Sequence, residues 1–241
     1  VRKLSFTGST EVGRTLLREA ADNVVNCSME LGGNAPFIVF DDASLDEALG
    51  GAMIAKMRNG GEACTAANRF YVQRGIFDRF AAGLAQRMGA IKVGVGYAAD
   101  TACGPLVNRD AVEKVTALVS EAISGGARAL LGGTPSPGSG CFYPPTVLVD
   151  VPASAQILKK EIFGPVAVLV PFDTTDEAVT LANATEYGLV AYVYTQDLKR
   201  GLFVADRLES GMVAVNRGLI ESGPCQGPGC LIPRTMRGAV L

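Results

Sequence analysis

No histidine occurs among the 241 residues. Its absence excludes Ser-His-Asp and Cys-His nucleophilic sites, which need an imidazole beside the nucleophile, and His-containing zinc sites. The six cysteines, Cys27, Cys64, Cys103, Cys141, Cys225 and Cys230, include no C-x-x-C pair. Neither a zinc ribbon nor a thioredoxin-like motif is therefore encoded, and no metal is expected. No apolar run approaches the roughly 20 residues of a membrane helix, and the N-terminus lacks the pattern of a secretory signal. Excess charge of either sign is also missing: 22 Lys+Arg against 24 Asp+Glu leave a net charge of -2. That balance argues against a nucleic-acid partner or a polybasic membrane surface. The expectation is a reduced, cytoplasmic protein without nucleic-acid or membrane partners.

Apolar residues make up 48% of the chain and charged residues 19%, enough to bury a large core. Hydrophobic periodicity predicts strands over 4–7, 24–31, 37–40, 70–73, 129–131, 146–149, 166–171, 190–194 and 212–215. Between them it predicts helices after a Thr10 cap, from Ser44 through Met57, and over 76–88, 109–124, 175–184 and 198–208, with Asp173 or Thr174 capping the fifth. Strand-helix alternation of this kind implies an α/β fold with a parallel-rich sheet. From Glu221 to Leu241 neither period appears, and Gly, Pro and Cys accumulate, so this stretch reads as an irregular tail without a further element.

Two segments carry candidate chemistry. In Met29-Glu30-Leu31-Gly32-Gly33-Asn34-Ala35-Pro36 a carboxylate closes a strand and two glycines follow. A Glu there points toward the crevice where α/β proteins bind ligands, although the motif alone favours a solvated residue before a turn. In Arg58-Asn59-Gly60-Gly61-Glu62-Ala63-Cys64-Thr65-Ala66-Ala67-Asn68-Arg69 a cysteine sits in a polar, Gly-rich loop. Buried structural cysteines prefer apolar elements, and backbone N–H groups and arginines favour a thiolate. A loop cysteine without a role remains the alternative for this segment by itself.

Taken together, the two segments resemble the active-site signatures of the NAD(P)-dependent aldehyde dehydrogenase superfamily. The resemblance makes Cys64 the nucleophile and Glu30 the general base, 34 positions apart. Further resemblances follow in order. Phe6-Thr7-Gly8-Ser9-Thr10-Glu11-Val12-Gly13 is similar to the loop and helix N-terminus that meets the dinucleotide pyrophosphate. Glu161-Ile162-Phe163-Gly164-Pro165-Val166 is similar to the motif whose Glu holds the nicotinamide ribose and whose Phe packs near the ring. Asn183 to Leu189 and Gly211 to Asn216 are similar to late elements of the family. Gly8, Ser9, Leu31, Glu161 and Phe163 are thus implied to bind NAD or NADP. Within the superfamily, Lys56 to Asn59 with Cys64 to Arg69 looks most like succinate-semialdehyde dehydrogenases, and Arg58 is similar to their clamp for the distal carboxylate. The implied reaction is oxidation of an aldehyde, succinate semialdehyde, to its acid through a cysteine thiohemiacetal and thioester. A CoA-acylating relative is disfavoured because Glu30 is present to activate water.

The resemblance divides the chain into residues 1–32, the C-terminal remnant of a Rossmann-like nucleotide-binding domain; 33–219, the catalytic domain; and 220–241, the tail. The first nucleotide-binding strands and one oxyanion donor of the family have no counterpart after Val1, so the chain reads as N-terminally truncated. The pattern stops after Leu219 as an out-of-frame translation would stop it, with a divergent tail as the alternative. The family implies a homo-oligomer. A catalytically incomplete fragment, inactive or binding only full-length subunits, is the competing expectation.

Overall fold

The computed structural model describes residues 1–138, 140–219 and 231–233. The chain opens with strand β1 (Lys3–Thr7), helix α1 (Thr10–Ala21) and strand β2 (Asn26–Glu30). The two strands pair in parallel, with Thr7 opposite Glu30, and form a small sheet of their own. Ser9, not Thr10, caps α1: its hydroxyl accepts from the Val12 N–H at 3.3 Å. A hydroxyl one residue ahead of the first helical turn satisfies an N–H that the helix leaves unpaired.

The remaining elements are β3 (Ala35–Val39), α2 (Leu45–Met57), β4 (Ala67–Gln73), α3 (Phe77–Gly89), α4 (Arg109–Ser124), β5 (Arg128–Leu131), β6 (Thr146–Val149), β7 (Val166–Phe172), α5 (Thr175–Asn183), β8 (Val190–Tyr194), α6 (Leu198–Arg207), β9 (Met212–Val215) and β10 (Leu231–Pro233). They build an eight-stranded sheet in the order β10-β9-β8-β3-β4-β7-β6-β5. Its six central strands are parallel, and β5 and β10 add antiparallel edges. Every residue of β3 and β8 is buried, as expected of strands covered on both faces. One face packs Phe37, Val39, Phe70 and Val72 against α2 and α3. The other packs Ile38, Phe40, Tyr71 and Val193 against α5 and α6. The parallel-rich α/β expectation is met. The tail reading needs a correction, because Leu231–Pro233 pairs with β9 as a short edge strand. An edge is where a strand containing proline is tolerated. Thr174, one of the two expected caps, accepts from Glu177 N–H at the start of α5.

Strand β4 begins at Ala67, three residues before the predicted Phe70, and so buries Asn68 and Arg69. The Arg69 guanidinium is fully buried. It donates to the carbonyls of Asn34 at 3.0 Å, Leu181 at 3.2 Å and Ala182 at 3.1 Å, and to the Tyr71 hydroxyl at 3.2 Å. The planar five-donor fork suits such a set of fixed acceptors. Leu181 and Ala182 lie in the last turn of α5, where carbonyls run out of intrahelical donors; the Leu181 carbonyl also accepts from Ala184 N–H at 3.4 Å, and Arg69 supplies the further donors. Arg69→Ala should therefore leave buried carbonyls unpaired and lower stability by about 3 kcal/mol. Urea denaturation of the variant beside the unsubstituted chain measures the loss.

Lys56, near the end of α2, is fully buried and donates to Asn68 Oδ1 at 2.8 Å. Burial drives its amine down from the ordinary 10.5 to about 7, against the upward pull of the Glu161 charge. The folded chain therefore releases this proton more readily than the unfolded chain. Between about pH 7 and 10 the unfolded state binds more protons at Lys56, and stability rises with pH from this group by up to about 1.4 kcal/mol per unit. Below that window the contribution is flat. Lys56→Met should abolish the rise, so the stability difference between the two proteins should change across pH 7–9.5 and stay constant below 6.5. Denaturation midpoints across that range provide the measurement.

Candidate active site

Cys64 occupies a turn between α2 and β4, is half-buried and forms no disulfide among the described residues. The chain reaches it through Asn59, Gly60 and Gly61, all at positive φ (51°, 61° and 79°). Asn and Gly are the residues that tolerate this region. Asn59 Nδ2 donates to the Glu62 carbonyl at 2.9 Å, and Ala66 N–H donates to the Ala63 carbonyl at 3.0 Å. Beyond the turn, the buried Tyr192 hydroxyl of β8 donates to the Thr65 carbonyl at 2.8 Å. Burial pushes this phenol up to about 12, so it stays a neutral donor.

Gly32 and Gly33, after β2, bring a second part of the site against this turn. A Cβ at Gly33 would lie 2.0 Å from the Cys64 carbonyl oxygen, and one at Gly32 would lie 2.5 Å from Glu161 Oε2. Gly33 N–H donates to Glu161 Oε1 at 3.0 Å. Two residues without side chains thus hold the Cys64 turn on one side and the Glu161 carboxylate on the other. A third close approach completes the arrangement: a Cβ at Gly61 would lie 2.3 Å from the Gly164 carbonyl. Phe163, one residue earlier, is at φ 54°. A non-glycine held in the left-handed region stores about 1–2 kcal/mol of strain, and such strain clusters at functional sites.

Glu30 ends β2 with its side chain exposed and, among the described residues, its carboxylate accepts no hydrogen bond. It is three residues from Gly33, and its backbone carbonyl accepts from Gly8 N–H at 3.0 Å. Leu31 packs on α1: a Cβ at Gly13 would lie 2.5 Å from Leu31 Cδ2. Ser9 is exposed at the α1 N-terminus. Arg58 is exposed and donates to Thr65 Oγ1 at 3.1 Å. With Ile54, Ala63, Thr65, Tyr192 and Leu219 it lines a narrow surface depression beside the Cys64 turn.

Of the residues singled out from the sequence, Cys64 and Glu161 meet through Gly33, Arg58 flanks the same turn, and Leu31 joins this region to α1. Glu30 and Ser9 lie on the exposed β1-α1-β2 unit. Sequence reasoning missed Lys56, Asn68 and Tyr192. A lysine in the apolar C-terminal half of α2 and a polar pair opening a strand were the signals present in the sequence. Tyr192 lies inside an apolar run and gave none.

The aldehyde dehydrogenase family pattern matches residues 1–228, past the residue 219 at which the sequence resemblance ended. A succinate-semialdehyde dehydrogenase of Paenarthrobacter nicotinovorans is 54% identical over 222 residues, 92% of this chain and 49% of that protein. A glutarate-semialdehyde dehydrogenase of Pseudomonas putida is 50% identical over 222 residues, 92% of this chain and 46% of that protein. The crystal structure of an E. coli NADP-dependent enzyme superposes with a TM-score of 0.90 at 49% identity, covering 92% of this chain and 46% of that one. The chain spans about half the length of these relatives. With a family match over almost its whole length and relatives of this identity, the chain belongs to the aldehyde dehydrogenase family.

Proposed function

We propose that the chain is the catalytic-cysteine portion of an NAD(P)+-dependent dehydrogenase for aldehydes bearing a distal carboxylate, succinate semialdehyde in the first place. The observation that carries this reading is the meeting of the Cys64 turn with the Gly32-Gly33 segment that holds Glu161, with Arg58 exposed at the same turn. Relatives named for succinate and glutarate semialdehydes support the substrate class, since both aldehydes end in a carboxylate.

The residues present fit part of a dinucleotide site. Glu161 is anchored on Gly33, Leu31 lies between Glu161's partner Gly32 and α1, and the exposed first turn of α1 offers backbone N–H groups to a phosphate. In this reading Ser9 and Gly8 face the pyrophosphate, and Glu161, Phe163 and Leu31 hold the nicotinamide end. When bound, the oxidised dinucleotide supplies the hydride acceptor. Residues 1–32 then belong to the nucleotide-binding domain and 33–219 to the catalytic domain.

The protein's own groups account for the rest. Cys64 Sγ, as thiolate, adds to the aldehyde carbon, and the carbonyl π pair moves to oxygen. The Cys64 backbone N–H donates to that oxyanion. As the oxyanion re-forms its double bond, hydride leaves carbon and a thioester remains on Cys64. Glu30 takes a proton from water as the water oxygen attacks the thioester carbon. Collapse expels the Cys64 thiolate and releases the acid, and Glu30 returns its proton to solvent. Arg58 holds the distal carboxylate by charge-assisted hydrogen bonds.

A second reading follows from the chain's length relative to its relatives: a portion that folds without completing the cofactor site. NAD(P)H formation with succinate semialdehyde distinguishes the two. Under the proposal turnover is present and Cys64→Ala abolishes it, whereas a folded chain without turnover supports the second reading. Glu30→Gln should stall after hydride loss and leave an acyl group on Cys64, visible as a mass increase of that peptide. Arg58→Gln should raise KM for succinate semialdehyde about 10-fold and leave KM for butanal unchanged. Equal effects on both aldehydes would remove Arg58 from the substrate site.

A further inference from the structure

The Cys64 loop is closed at its base by a bond that belongs to none of the roles above. Residues 58–66 connect the end of α2 at Met57 to the start of β4 at Ala67. Lys56 is the last but one residue of α2, and Asn68 is the second residue of β4. Their 2.8 Å hydrogen bond spans the two ends of the loop. Both are sealed from solvent, at 0% and 1% exposure. We propose that Lys56, through Asn68, is the positioning residue that fixes the register of the nucleophile loop and so the place of Cys64.

Three successive residues of the loop lie at positive φ, and two of them are glycine. Its own side-chain bonds, Asn59 to the Glu62 carbonyl and Arg58 to Thr65, are exposed, whereas the Lys56–Asn68 bond is buried. Closing a flexible loop at one fixed point removes most of the freedom of what lies between. The Lys56 side chain also reaches the loop directly, because a Cβ at Gly61 would lie 3.0 Å from Lys56 Cε. Gly61 in turn abuts the Gly164 carbonyl, in the segment that carries Glu161. The charged groups facing this position are Glu161, whose carboxylate acts on Lys56, and Lys114 of α4, which faces the same carboxylate. A buried amine opposes stability unless it is well paired. What this amine supplies is a directed donor at the one place where helix, loop and strand must keep register. The depressed affinity of Lys56 for its proton does not break the bond, since a neutral amine still donates to Asn68 Oδ1.

The inference rests on Cys64 as the loop's working residue but not on turnover, so its test reads the thiol directly. The chain, Lys56→Met, Asn68→Ala, the double variant and Asn68→Asp are labelled with iodoacetamide. Rates are followed separately at Cys64 and at buried Cys103 by peptide mass spectrometry. Each single variant is expected to speed Cys64 labelling at least threefold while Cys103 keeps its rate. The double variant should match the singles, because one bond is lost in all three. Asn68→Asp retains an acceptor and should stay within twofold of the unsubstituted chain. An unchanged or slowed Cys64 rate, multiplying effects in the double variant, or parallel acceleration at Cys103 would overturn the proposal. The last would mean general loosening of the fold. Loss of dehydrogenase turnover would leave this comparison intact, so failure of the functional reading and failure of the clamp are separable.

Discussion

A backbone contact without an intervening side chain sets the geometry of the site. Gly33 approaches the Cys64 carbonyl so closely that even one methyl group would collide with it, and its N–H donates to Glu161. Close-packed interiors transmit displacement, because few voids exist to absorb it. A shift at Gly33 therefore moves the thiol and the carboxylate together. The neighbouring elements are arranged around that contact. Gly32 makes room for Glu161 Oε2, Gly61 makes room for the Gly164 carbonyl, and Tyr192 anchors Thr65 from the far side.

The second constraint is electrical. Strand β4 enters the core with Asn68 and Arg69, and Lys56 lies beside them. Burying such groups is unfavourable unless every donor meets an acceptor. Arg69 meets backbone carbonyls from two segments and Lys56 meets Asn68. These bonds tie α5 and the segment before β3 to β4, and the end of α2 to its start. The exposed ion pair between Arg14 and Glu186 at 2.5 Å also links α1 to the main sheet, but both partners are more than half exposed and such pairs contribute little. The chain also runs from the β1-α1-β2 unit into the sheet through Gly32 and Gly33, where Gly33 N–H is bonded to Glu161.

Much of this was legible in the sequence, for identifiable reasons. Helix α4 keeps the predicted bounds Arg109–Ser124, because its apolar spacing ends at Gly125-Gly126. Strands β6, β8 and β9 also match, being short apolar runs between turn residues. The start of β4 was hidden because Asn68 and Arg69 read as loop until their buried partners are known: Lys56, 12 positions away, and the carbonyls of Asn34 and Ala182, 35 and 113 positions away. The edge strand Leu231–Pro233 was hidden because three residues have no measurable period. The Cys64 and Glu30 segments stood out as candidates through glycines beside polar residues. The glycines were noted, yet which backbone atoms they admit is a long-range property that no local window contains. The same holds for Lys56, whose partner lies across the loop.

The most direct test of the Gly33 contact is the NAD(P)H-forming turnover of Gly33→Ala, with succinate semialdehyde, beside the unsubstituted chain. Gly104→Ala serves as control, since a Cβ there meets nothing within 4 Å. A folded Gly33→Ala protein with turnover reduced at least 10-fold, and an unaffected Gly104→Ala protein, are expected. Equal turnover in Gly33→Ala and the unsubstituted chain would contradict a site organised by that contact.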